Sequence, residues 1–380
     1  MRVSVYERSE DLPSGCLRLL RNAAAKNAFD SVEWYQNLAR HGLEPDARVR
    51  FYALEQADRS AEAVGILPLR LPGRGSGWGG PRQIVSLSTY YTSLYGPVLA
   101  ESGHDPRTSI RQLVDEVCSA SPGWDMIQLS PLAREDAVFE HVVEALRARG
   151  MFVATYFCFG NWYLRVDGRT FDQYLESVPS ILRNTLNRKR RKLKASRRAM
   201  VRIVTGGDEL ESAIADYERV YGASWKMAEP HPRFMPNLIR MCAEMGWLRL
   251  GLLHVDGEPA AAQVWIVNGG TASIYKLAYQ DRFSDLSVGS ILTAHLMEHA
   301  IDVDKVATVD YLTGDDSYKK DWMSHRRERW GVLALNTRTV RGLMGIARHS
   351  GGRLVRAMLA WKDQVRAGAA VRADESSESR

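Results

Sequence analysis

One stretch, "WLRLGLLHVDGEPAAAQVWIVNGGTASIYKLAYQ" at residues 247–280, limits the possible folds more than any other. Three apolar runs are separated by Asp256-Gly257 and Gly269-Gly270. Such pairs supply the positive φ angles that two-residue hairpin turns need, so the stretch predicts three consecutive antiparallel strands. Helical periodicity surrounds them. "SVGSILTAHLMEHAIDVD" reads as a helix and "VATVDYL" as a strand beyond it. Upstream, "TFDQYLESVPSILRNTLNRKRRKLKAS" reads as a helix, or two broken near Pro179, followed by the strand "VRIVTG". "DELESAIADYERVYGASW" reads as a helix with Asp208 as N-cap and Glu211 completing a capping box.

The first part of the chain shows a looser form of the same alternation. "AFDSVEWYQNLARHG" predicts a helix capped by Asp30 or Ser31, and "VRFYALEQ" and "AVGILPLRL" predict two strands. "WDMIQLSPL" predicts a strand, "DAVFEHVVEALRARG" a helix, and "MFVATYFCFGNWYLRV" a strand pair. A length of 380 residues exceeds one comfortable core. The expected organisation is an α/β domain over 1–167, a second over 168–335, and a basic helical tail over 336–380 with a disordered end.

Several function classes recede. No apolar run of about 18 residues is present, and the N-terminus lacks the h-region of a signal peptide, which predicts a cytoplasmic protein. Cys16, Cys118, Cys158 and Cys242 are scattered without a CxxC pair, so free thiols and no structural metal are expected. The net charge of +6 is uneven. Residues 183–198 carry +9 and residues 326–366 carry +8, leaving −11 on the rest. Located cation segments point to an anionic partner, such as a phosphate-rich ligand, nucleic acid or an anionic membrane surface at the inner face of a membrane. On the tail, Leu354, Val355, Met358, Leu359 and Trp361 cluster beside Arg353, Arg356, Lys362 and Arg366 as an amphipathic helix would place them.

Three segments carry candidate chemistry. In "DRFSDLSVGSIL", Gly289 and Ser290 open an apolar helix whose free N–H groups and dipole make an anion site. "SWKMAEPHPRF" combines Trp225, Lys226, Glu229 and His231 in one loop. "DYLTGDDSYKKDW" places Asp310, Gly314, Tyr318, Lys319 and Trp322 at a strand end and helix start. A phenol there can give a proton to a leaving group, and a carboxylate can take one from a nucleophile.

Together, "DGEPAAA", the "Y-x2-AY-x-D" run ending at Asp281, "S-x-G-x-x-L" at Ser287, Gly289 and Leu292, and "D-x3-G-x3-Y-K-x2-W" resemble the CelD-type and FemAB-like branch of the GNAT acyltransferases, including the BioF2-like domains. The resemblance covers about residues 175–330. It implies tandem GNAT-like domains, each a mixed, mostly antiparallel sheet flanked by helices. It also implies acyl-CoA as co-substrate and a primary amine as acceptor, either a sphingoid-type lipid, as in bacterial ceramide synthases, or an amino sugar of the cell envelope. On that resemblance Tyr279, Ser287, Val288, Gly289 and Ser290 hold the cofactor. Tyr318 is the acid, Asp310 or Glu229 the base, and Lys319 an anion or thioester contact. Trp225, Lys226, Tyr275 and Lys276 face the substrate. Two other readings stay open: a FemAB-like ligase using aminoacyl-tRNA, and a non-catalytic envelope-binding module.

Overall fold

The structure, a computed structural model, describes residues 1–56, 62–73, 80–196 and 198–351. The apolar and basic tail positions from Arg353 onward, the expected disordered end, and part of the glycine-rich loop lie outside the described residues. Residues 340–351 are helical.

In the first half the strands are β1 (Arg2–Tyr6), β2 (Arg48–Glu55), β3 (Ala63–Leu71), β4 (Gln83–Ser86), β5 (Val98–Leu99), β6 (Met126–Ala133) and β7 (Met151–Arg165). The second half gives β8 (Ala199–Val204), β9 (Leu248–Val255), β10 (Glu258–Asn268), β11 (Thr271–Tyr279), β12 (Thr308–Asp310) and β13 (His325–Asn336). The helices are α1 (Ser14–Ala24), α2 (Val32–His41), α3 (Pro106–Cys118), α4 (Ala137–Ala148) and α5 (Phe171–Ser177). They continue with α6 (Ser180–Ser196), α7 (Leu210–Gly222), α8 (Phe234–Glu244), α9 (Val288–Glu298) and α10 (Lys319–Trp322).

All the strands join one sheet, in the order β1-β2-β3-β4-β6-β13-β7-β12-β11-β10-β9-β8, with β5 beside β3. The order is the same read inward from either end. Four antiparallel strands are followed by a parallel neighbour, β4 with β6 and β11 with β12. An antiparallel strand then closes each half, but it comes from the other half: β13 pairs with β6, and β7 pairs with β12. The two exchanged strands pair with each other at the centre. The fold is therefore mixed α/β, with a mostly antiparallel sheet flanked by helices and built from two halves of matching strand order.

Two local readings differ from the sequence. "MFVATYFCFGNWYLRV" is one unbroken strand, β7, and no turn forms at Gly160. That glycine instead makes room for a neighbour: a Cβ there would stand 2.6 Å from the carboxyl carbon of Asp315. The capping box of α7 does not form either. Its N-cap is Glu209, without a side-chain cap bond, and Glu211 is engaged by the Arg240 guanidinium through two bonds of 2.7 Å.

The core ties the halves together. Trp34 of α2 is fully buried and meets Phe234 of α8 edge-on, with ring centroids 5.7 Å apart. The α2 helix begins where predicted, with Ser31 Oγ accepting from Trp34 N at 3.0 Å. Truncating such a buried aromatic costs about 3–5 kcal/mol. Two further clusters lie under α3 and α4 and under α9.

Candidate active site

A cleft opens where β11 and β12 part. β12 pairs with β11 only at Thr271, Ala272 and Ser273. Beyond Ser273, β11 continues to Tyr279 paired with β10 on one side, and its other edge faces the cleft. At the far end stands the entry of α9. Ser287, in the left-handed region at φ 56°, turns the chain there, and the first intrahelical bond runs from Ile291 N to Ser287 O at 3.0 Å. The amides of Val288, Gly289 and Ser290 precede that bond, so they are the donors a helix start leaves for an anion. Gly289 lies against Tyr279: a Cβ there would come within 3.0 Å of the ring. Trp225 also packs on Tyr279, with ring centroids 4.5 Å apart. The Lys189 ammonium of α6 donates to Asp285 O, which binds the basic helix to the loop before this entry.

A β-bulge shapes the near end. Val264 pairs with Lys276 and Trp265 with Ile274, leaving Tyr275 as an extra residue. Bulges re-aim side chains, and here Tyr275 and Lys276 both reach Tyr91. Tyr275 Oη donates to Tyr91 O at 2.8 Å, and Lys276 Nζ lies 5.5 Å from the Tyr91 ring centroid. Lys276 Nζ is 2.8 Å from Glu229 Oε1 and 3.2 Å from Tyr90 Oη, over the Tyr90 ring at 4.4 Å. Glu229 Oε2 is buried without a hydrogen-bond partner. Burial, and next the neighbouring Glu229, push the Tyr91 and Tyr221 phenols upward. Burial, and next the Lys276 charge, lower the Lys226 ammonium to about 8.

The segment 310–322 divides into framework and open side chains. Asp310 is buried, and its carboxylate accepts from Asn161 Nδ2 and Leu312 N, both at 2.6 Å, and from Arg327. The Lys319 ammonium is also turned inward. It donates to Thr313 O at 2.6 Å and Gly314 O at 3.2 Å and pairs with Asp316 at 3.2 Å, so it fastens the loop instead of facing a ligand. Burial lowers its pKa. Tyr318 is 43% exposed, stands edge-on to Tyr311 at 5.9 Å, and is pushed up to about 12 by burial and then by Asp316. Asp315 receives Arg326 and the Trp162 indole and is held low by the guanidinium.

The geometry thus brings Trp225, Tyr279, Ser287, Val288, Gly289 and Ser290 to one end of the cleft, and Glu229, Tyr275 and Lys276 to the other. It sets Asp310, opposite Ser273 where the two strands are still paired, and Lys319 into the framework. Sequence reasoning missed Tyr90 and Tyr91. They come from the other half of the chain, and the aromatic run in "STYYTSLYG" was their only signal. It also missed Asn161 and Arg327, which saturate Asp310. Among the described residues no group of three His, Cys, Asp or Glu is placed to hold a metal ion. No described helix is long and apolar enough to cross a membrane.

Residues 180–320 match the family model of the acetyltransferase (GNAT) domain. A crystal structure of FemX superposes with a TM-score of 0.61 at 11% identity, over 88% of this chain and 97% of that one, which shows a shared fold. The L-PGS structure from Bacillus licheniformis gives 0.49 at 12% identity over 84% and 96% of the two chains. A tandem GNAT protein from the clavulanic acid biosynthesis pathway gives 0.49 at 11% identity over 89% and 100%. No curated protein sequence matches the chain.

Proposed function

We propose that the protein moves an acyl group from an acyl-CoA thioester to a primary amine. One observation carries this reading. The open edge of β11 runs from the α9 amides, suited to a pyrophosphate, to the Glu229–Lys276 pair, suited to handling an amine proton. Glu229 takes the ammonium proton on Oε2, the oxygen without a protein partner, while Lys276 fixes the carboxylate through Oε1. The neutral amine then attacks the thioester carbonyl. Edge amides of β11 past Ser273 hold the oxyanion that forms. Tyr318, which keeps its proton at neutral pH, donates as the C–S bond breaks and is reset by the proton the nitrogen sheds. Asp310 and Lys319 position the loop that presents Tyr318.

The test is thermal unfolding with acetyl-CoA, long-chain acyl-CoAs and tRNA. A ligand that binds only the native state raises the melting temperature. A rise with a CoA thioester is expected, and no rise with any of them would end the reading. The basic α6 favours one second reading, an aminoacyl-tRNA donor. That predicts tRNA binding that weakens steeply with salt. A peripheral contact with an anionic membrane draws its support from residues 340–351, where Val340, Leu343 and Met344 are exposed beside Arg341 and Arg348. Binding to anionic but not neutral vesicles would bear on it.

A further inference from the structure

A cavity of about 200 Å³ lies where the two halves of the chain meet. Its walls come from the turn before α2, at Lys26 and Phe29, and from residues of β10, β11, β12 and β13. At ~30 Å³ for each water, it has room for a handful of waters or for one small molecule. We propose that it binds a small carboxylic acid with an apolar body. The proposal goes beyond the transferase reading and does not rest on it.

The lining has donors to spare. Arg327 donates from Nε to Asn161 Oδ1 at 2.7 Å and from Nη2 to Asp310, which leaves Nη1. Arg329 donates from Nη1 to Glu135 at 2.9 Å and from Nη2 to Asn161 Oδ1 at 3.2 Å, which leaves Nε. The Thr271 and Ser273 hydroxyls of β11 also line the cavity and hydrogen-bond to no described residue. A guanidinium only donates and a hydroxyl can donate, so the matching group on a ligand is an acceptor.

Charge selects the acceptor. The lining holds Lys26, Arg327 and Arg329 against one carboxylate, Asp310. Lys26 pairs with Glu101, both mostly exposed, and counts for little. The Arg329 side chain is 3% exposed, whereas its counter-ion Glu135 stands outside the lining and is 49% exposed. A buried guanidinium met by a solvated carboxylate leaves charge for a second anion to balance. Asp310 in turn repels a dianion such as phosphate, so a singly charged carboxylate fits best. The rest of the wall, including Phe29, Leu94, Ile266 and Leu312, is apolar and suits a hydrocarbon body.

Tyr275 stands between this cavity and the Glu229–Lys276 pair. Its ring is 6.4 Å from that of Phe29, and its hydroxyl donates to Tyr91 O at 2.8 Å. The cavity is thus a site apart from the amine chemistry. Arg327 also holds Asp310, which accepts from Leu312 N, so an occupant bears on the loop that leads to Tyr318.

Calorimetric titration of the full chain with sodium benzoate, benzamide and inorganic phosphate tests this. Benzoate is expected to bind. Benzamide, which keeps the shape and lacks the charge, is expected to bind about tenfold or more weakly, and phosphate more weakly than benzoate. Ser273→Ala and Thr271→Val, which break no side-chain hydrogen bond of the described structure, are each expected to weaken benzoate about tenfold. Thermal unfolding checks each variant, and the comparison of the three ligands in the wild type needs no variant. The proposal is overturned by absence of benzoate binding, by benzamide or phosphate binding as tightly as benzoate, or by benzoate affinity unchanged in both folded variants. No acyl donor or amine enters these titrations, so their outcome leaves the transferase reading where it stands.

Discussion

Lys276 Nζ and Glu229 Oε1 stand 2.8 Å apart, with each side chain only 9% exposed. A lysine and a carboxylate so placed, one from a bulged strand and the other from a proline-flanked loop, stabilise each other only as a pair. Removing one partner of a buried ion pair costs about 3–5 kcal/mol, because the other charge is left uncompensated. Lys276→Met and Glu229→Met are each expected to destabilise by that order. The double variant is expected to recover a large part of the loss. Denaturant unfolding of the three variants measures the coupling, and simple additivity would mean that the pair is not coupled.

Tyr318 contributes chemistry and little packing in this account. It is 43% exposed, and its ring meets Tyr311 by an edge that phenylalanine keeps. Tyr318→Phe is expected to lower kcat by about 10²–10⁴, with the melting temperature nearly unchanged. Steady-state rates with a turned-over acceptor decide this, and a wild-type kcat would remove Tyr318 from the acid role.

The Lys226 ammonium is lowered to about 8 and sits beside Trp225, which covers Tyr279 at the α9 entry. Below that pH it is cationic and attracts the phosphates of an anionic donor; above it the charge is lost. KM for acyl-CoA is expected to rise as pH rises through about 8. Lys226→Arg, which keeps its charge, is expected to flatten that rise. A rise of the same size in the arginine variant would place its origin elsewhere.

Asp310 is a framework residue in this geometry. Its carboxylate accepts from Asn161, Leu312 and Arg327, and Arg329 also reaches Asn161 at 3.2 Å. Asp310→Ala strands these buried donors and is expected to cost about 3 kcal/mol or more. Folded Asp310→Ala retaining wild-type stability would contradict the assignment.

The hairpins of β9 to β11 and the α9 entry were legible because turn chemistry is local: Asp-Gly, Gly-Gly and Ser-x-Gly act within a few residues. The long-range pairings were not. β13 begins "HRRERW" and reads as a charge run, yet Arg327 and Arg329 point inward to Asp310, Asn161 and Glu135. Nothing local announces Asn161 and Glu135, which lie 166 and 194 residues from their arginines. The same holds for Asp310, a candidate base by type that its neighbours saturate. The bulge at Tyr275 had no signal either, since an extra residue appears only once the partner strand is in register.

The most direct test of the account follows thiol release from acyl-CoA with and without a primary amine, in the wild-type protein and in Glu229→Gln. Amine-dependent release is predicted for the wild type, with kcat lowered by about 10²–10⁴ in the variant while donor binding persists. Release that does not depend on the amine, or that survives Glu229→Gln unchanged, would contradict the assignment of Glu229 as the group that readies the amine.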